Sequence, residues 1–176
     1  DNVITMILDN LASNKGQGEI HVYNNLNLDV VNDISHPKFN TVLLSEVNIE
    51  EYQGYCLGVY QPDLKKIIVE RYNVDRERSV SIIHDGLIKS DTVKLGRGIL
   101  INSSVCIAAH TTIGDYVSIN RGVSIGHHTK IGDYSSINPG VNIAGNVTIG
   151  SGTTIGIGAN VINGVKIGSN TVIGAG

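Results

Sequence analysis

The 176 residues carry 13 Lys and Arg against 16 Asp and Glu, a net charge of −3, with 41% hydrophobic and 16% charged side chains. That balance suits a globular chain with a real core; it excludes a disordered tail and argues against nucleic acid as the main partner. No run approaches 18 apolar residues and no basic-then-apolar leader opens the chain, so neither a membrane span nor export is expected.

In chain order, Ile4, Ile7, Leu8 and Leu11 have helical spacing and predict an amphipathic helix over residues 2–13. Extended segments come next at residues 19–24, 41–45 and 55–60. Pro62 suits the first turn of a second helix, whose apolar face would carry Leu64, Ile67 and Ile68. Residues 79–83 read as extended chain leading into a glycine-rich half. Strand alternating with helix predicts a small parallel α/β unit over residues 1–80. The two cysteines, Cys56 and Cys106, match no metal or redox spacing and read as free thiols of a reducing, cytoplasmic compartment.

Composition changes sharply in that second half. Residues 95–176 hold 16 of the 21 glycines but only four basic and two acidic side chains. From Leu95 a period of six runs without a slip through Ile101, Ile107 and onward to Ile173, with all 14 lead positions aliphatic and 12 of them Ile. The next residue is Gly or Asn in 11 of the 14, and the fourth after the lead is small or β-branched. Six is not a helical period; it describes a short extended segment and then a corner, with the lead residue inward. The expected fold is therefore a parallel β-solenoid over residues 81–176. Gly or Asn after the lead is expected to supply the unusual backbone angles of the corner. Ile83 and Ile88 are expected in an irregular entry coil. The repeat reaches the last residue without a cap, from which a longer natural chain is expected at that end.

The repeat is similar to that of the hexapeptide-repeat acetyltransferases, which spend three hexads on each coil of a left-handed parallel β-helix. Within that family, Gly126-His127-His128-Thr129-Lys130-Ile131-Gly132-Asp133-Tyr134, Asn138-Pro139-Gly140 and Ala144-Gly145-Asn146-Val147 resemble the sugar-nucleotide N-acetyltransferases and sialic acid O-acetyltransferases of bacterial surface-glycan synthesis. The resemblance implies a Rossmann-like nucleotide-binding domain ahead of the β-helix, here expected to lack its first strand and glycine-rich turn. It implies a cytoplasmic homotrimer that uses acetyl-CoA as acetyl donor and a nucleotide-linked amino sugar or sialic-acid-type sugar as acceptor. His127 matches the catalytic base, and Gly145 the backbone N–H that holds the oxyanion. His128 stands where a carboxylate commonly follows the base. Ser136 replaces a second histidine near the acetyl group, Ile157 and Ala175 fall at channel-lining positions, and Asn24 and Asn25 take the place of acidic residues facing the nucleotide.

The residues support that chemistry on their own terms. Imidazole titrates near neutrality and so suits deprotonation of an attacking amine or hydroxyl. With 18 residues per coil, His110 and His128 should stack, while His127 stands between the small residues Ala109 and Gly145. Asp115 and Asp133 also align but in another phase, as corner residues; Asn102, Asn120 and Asn138 form a ladder. Two alternatives stay open: a non-catalytic scaffold or sugar-nucleotide-binding protein, and a zinc-dependent carbonic-anhydrase-like β-helix. Histidine gaps of 17 and 1 fit the latter poorly, and no metal is expected.

Overall fold

The computed structural model describes residues 20–24, 39–43 and 54–176. The chain divides into two compact units, one built on residues 54–176 and the other within residues 15–53. In the latter, β1 (Ile20–Asn24) pairs in parallel with β2 (Phe39–Leu43), Ile20 opposite Phe39 and Asn24 opposite Leu43. Parallel pairing is what an α/β unit requires. The second strand begins two residues earlier than its spacing suggested. The helix expected over residues 2–13 and Asn25 lie outside the described residues.

From residue 54 the chain is extended without forming a strand: of residues 55–60, only Tyr55 makes a bridge, to Ser79. Helix α1 (Pro62–Arg71) starts at the proline, with Asp63 in its first turn and Arg71 in its last, both favourably placed on the helix dipole. Its buried side is not the predicted one. Ile67 is 53% exposed, whereas Lys65 is 1% exposed. The cause is tertiary, because α1 lies on a polar surface that needs hydrogen-bond donors.

That surface belongs to a three-sided parallel β-helix. Its two-residue strands run from Ile82–Ile83 to Val172–Ile173 in sheets of six, five and five. Every pairing is parallel and joins residues 18 apart, such as Ile101 with Ile119 and Ile125 with Ile143. Ile101, Ile119, Ile137 and Ile155 stack fully buried along one side of the core, and Ile107, Ile113, Ile125 and Ile149 along the others. The hydroxyls of Thr111, Thr129, Ser135 and Thr153 are buried among them. Each donates to a carbonyl 15 residues on, those of Gly126, Ala144, Gly150 and Gly168. A β-branched or small polar residue therefore fits this position with no unpaired group.

Two expectations are corrected. The entry coil is regular: Ile83 pairs with Ile101 and Lys89 with Ile107 in the common register. Ile88 and Lys89 are both exposed in this first coil, and the charged Lys89 stands in the register position of the lead residues, which hid the period from a hydrophobic count. The left-handed corner residue is also not the one after the lead. It is the third, every sixth residue from Gly98 to Gly176, and includes Ser104, His110, Tyr116, His128, Tyr134, Asn146 and Asn170. Non-glycine residues pay roughly 1–2 kcal/mol for that conformation. The glycine after the lead serves close approach instead: a Cβ at Gly126 would lie 2.4 Å from the carbonyl carbon of Ala144 in the next coil.

The three outer faces differ. On the first, Ile82, Leu100, Ser118 and Ser136 are buried, with residues 54–71 covering it through Tyr60 and Lys65. The second shows Ile88, Cys106, Ser124, Asn142 and Asn160 in one row, all exposed and uncharged. The third shows Lys94, Thr112, Lys130, Thr148 and Lys166, also exposed.

Candidate active site

His127 comes just after the strand Ser124–Ile125 and sits exposed at the corner between the second and third faces. The coil spacing of about 4.8 Å places Ala109 below it and Gly145 above. Gly145 leaves the imidazole its room, since a Cβ there would fall 2.7 Å from His127 Cε1 and 2.8 Å from Nε2. The Nε2 edge of the ring thus adjoins the Gly145 backbone. Gly145 O accepts from Gly164 N at 3.0 Å, while its N–H reaches no acceptor among the described residues. The main chain is pinned on both sides by His128 N donating to Ala109 O (2.9 Å) and Asn146 N to His127 O (2.8 Å).

The other edge of His127 faces His128, Nδ1 to Nδ1 at 3.0 Å. The two rings meet edge to face, and His128 lies against His110 with centroids 4.8 Å apart, as the 18-residue phase required. Although three histidines share the corner, no group of three His, Cys, Asp or Glu among the described residues is arranged to hold a metal ion.

Other candidates are dispersed. Ile157, 61% exposed, and Ala175 align 18 apart with Gly176 N donating to Ile157 O (2.8 Å), but they stand at the opposite edge of the second face from His127. Ser136 is 2% exposed, and its hydroxyl donates to Tyr60 O and accepts from Lys65 Nζ at 3.0 Å, so it is engaged within the protein. Asn24 ends β1, and Asn25 is outside the described residues.

Sequence reasoning missed Lys65. Its ammonium also donates to Tyr134 O (3.3 Å) and Ser135 O (3.2 Å), and burial pushes its pKa down to about 7. Burial likewise pushes the nearby Cys56 thiol up to about 12, so that sulfur stays a protonated thiol. No local signal marks Lys65, for its partners lie 69–71 residues away.

The aspartates are structural. Asp133 Oδ1 accepts from Asp115 N and Asp115 Oδ1 from Arg97 N, both at 2.8 Å, so each closes a corner one coil down. Burial raises the Asp115 pKa, but hydrogen bonds from Arg76 and Arg97 more than offset this and hold it below the usual carboxylate range. Asn102 Nδ2 reaches Asn120 Oδ1 at 3.4 Å, while Asn138 turns to Ile155 O.

Residues 110–145 match the family model of the bacterial transferase hexapeptide, six repeats. Solved structures share the fold. PerB from Caulobacter crescentus, in complex with CoA and GDP-perosamine, is 24% identical with a TM-score of 0.74, over 92% of this chain and 88% of that one. The acetyltransferase domain of PglB from Neisseria gonorrhoeae is 19% identical with a TM-score of 0.76, over 99% and 84%. WeeI from Acinetobacter baumannii is 19% identical with a TM-score of 0.62, over 89% and 93%. No curated protein sequence matches the chain. The hexapeptide repeat is thus matched by the family model and the fold by the solved structures. No described helix is long and apolar enough to cross a membrane.

Proposed function

For a chain that carries the bacterial transferase hexapeptide repeat, we propose acetyl transfer from acetyl-CoA to an amino sugar, nucleotide-linked or of the sialic-acid type, in surface-glycan synthesis. The observation that carries this reading is the His127 corner: an exposed imidazole with its Nδ1 engaged and its Nε2 edge against Gly145, whose N–H bonds no acceptor among the described residues. PerB, whose structure was solved with CoA and GDP-perosamine, supports the donor and favours an amine as the attacking group.

In the proposed reaction His127 Nε2 takes the proton of the acceptor amine as its nitrogen attacks the thioester carbonyl. As the new C–N bond forms, Gly145 N–H holds the negative charge on the carbonyl oxygen. Collapse breaks the C–S bond, and the departing sulfur takes the proton back from His127, leaving the acetamide and free CoA. A hydroxyl acceptor takes the same course with C–O bond formation. Ile157 and Ala175 offer apolar surface to the donor's pantetheine arm. Asn24, at the carboxyl end of a parallel strand, and Asn25 are assigned to the nucleotide.

A cytoplasmic homotrimer belongs to the same proposal. The uncharged row Ile88, Cys106, Ser124, Asn142 and Asn160 is the face best suited to bury against a second copy, because no charge must be desolvated there. Sedimentation should give three chains; a mass near one chain at micromolar concentration ends that assignment.

The activity is tested by thiol release from acetyl-CoA over a panel of nucleotide-linked amino sugars. Release with at least one acceptor, abolished in His127→Ala, is expected. No release with any acceptor, or an undiminished rate in His127→Ala, would overturn the reading.

A further inference from the structure

We infer that His128 is the positioning residue of His127, setting its tautomer through a shared proton; the inference rests on His127 being the base. Two imidazoles joined Nδ1 to Nδ1 at 3.0 Å have room for one hydrogen between them. With that hydrogen on His127, its Nε2 is bare and able to take a proton. With it on His128, the Nε2 of His127 carries the hydrogen and cannot act as base. A base at Nε2 requires the first arrangement, with the proton on His127 Nδ1 and His128 Nδ1 accepting it; the ring edge carrying Nε2 is turned to Gly145, whose missing side chain leaves it room.

His128 is held for this task by its backbone and its neighbour. It is left-handed, φ +57°, as the corner residue of every hexad from Gly98 to Gly176 is, and this fixes the direction in which its side chain leaves the corner. The ring rests against His110, itself left-handed at φ +61° with its N–H donating to Thr92 Oγ1 at 2.8 Å. Residues facing the pair from the adjoining coils are Ala109 and His110 on one side and Gly145 and Asn146 on the other. None is a carboxylate, and the first one in this column, Asp91, is two coils from His127. An imidazole here supplies the acceptor that fixes the tautomer without the negative charge that a carboxylate would add.

Two variants separate positioning from structure. His128→Gly removes the acceptor while relieving the backbone; His128→Asn restores an acceptor oxygen at the δ1 position and tolerates the same φ. Nitrogen-15 NMR of the neutral imidazole reads the tautomer without any substrate, and so reports on positioning whatever the fate of the proposed reaction. We expect Nδ1–H on His127 in the unaltered protein and in His128→Asn, and Nε2–H in His128→Gly. His128→Gly should also melt no lower than the unaltered protein, while its kcat falls about 10–100-fold with the KM for acetyl-CoA unchanged. An Nε2–H tautomer in the unaltered protein, or an unchanged tautomer in His128→Gly, would overturn the inference. Failure of the proposed function alone would instead appear as the expected tautomers with no thiol release from any acceptor, or with an undiminished rate in His127→Ala.

Discussion

The first face and the His127 corner are made from the same hexad, yet they use their polar groups in opposite ways. On the first face Ser136, Tyr134 O and Ser135 O lie under α1, and Lys65 and Tyr60 satisfy them in a closed network. At the corner nothing in residues 54–176 lies over His127, and its outward edge stays exposed. A buried polar group must be fully paired to be tolerated, and once paired it has no capacity left for a substrate. An exposed group can keep a lone pair in reserve. Under the proposed function, chemistry belongs to the corner and attachment to the face.

The most severe test of that contrast is His127→Ala. It should lower kcat by about 10²–10⁴ with the melting temperature unchanged; a parallel loss of stability would mean the corner is structural after all. The core gives the converse result. Ile137→Ala, at a position with 0% exposure, should cost about 2–5 kcal/mol in urea unfolding. Gly145→Ala probes the seam between the two behaviours. Its Cβ would collide with the mobile end of His127 rather than with backbone, so stability should hold while kcat falls about 10²-fold from displacement of the ring. Unchanged kcat would separate Gly145 from the site.

Smaller effects test the covered face. Lys65→Ala leaves the Tyr134 carbonyl without its donor and takes one from Ser136 Oγ and from Ser135 O, which keeps the Ser118 N–H, and should destabilise by about 1–3 kcal/mol, with kcat preserved at temperatures where the protein remains folded. The amine also predicts a pH dependence. Burial holds the folded Lys65 pKa at about 7 against an ordinary value of 10.5, so between those values the unfolded chain binds a proton that the folded one does not. Stability should accordingly rise from pH 7 to pH 9 and level off below 7, a slope that Lys65→Ala should lose. Above pH 9 the raised Cys56 pKa works in the opposite sense, since the folded state then keeps a proton that the unfolded chain has released. Urea midpoints at pH 6, 7, 8 and 9 measure the lysine window alone.

How much of this was legible depended on how far apart the interacting residues are in phase rather than in space. A translational repeat makes position i the neighbour of i+18, so counting sixes was enough to stack His110 on His128, set His127 between Ala109 and Gly145, and align the isoleucines of the core. The first coil escaped because Lys89 and Ile88 break the hydrophobic pattern while keeping the register. Positive φ at the third residue after the lead escaped because His, Tyr and Ser hold that conformation here beside glycine. Both are cases in which the backbone keeps a rule that the side chains conceal.

Residue order alone is enough to set the period, hence the parallel stack, the inward residues and the column in which each corner histidine stands. Those properties come from chain geometry and from apolar burial, which act locally and identically in every coil. Packing in three dimensions had to settle which face is covered, that Lys65 rather than Ile67 is buried, and that Ser136 is engaged by Tyr60 and Lys65. It also settled that His128 meets His127 through Nδ1. These depend on where one short aperiodic segment comes to rest and on how a strained corner aims its side chain, and neither quantity repeats along the chain.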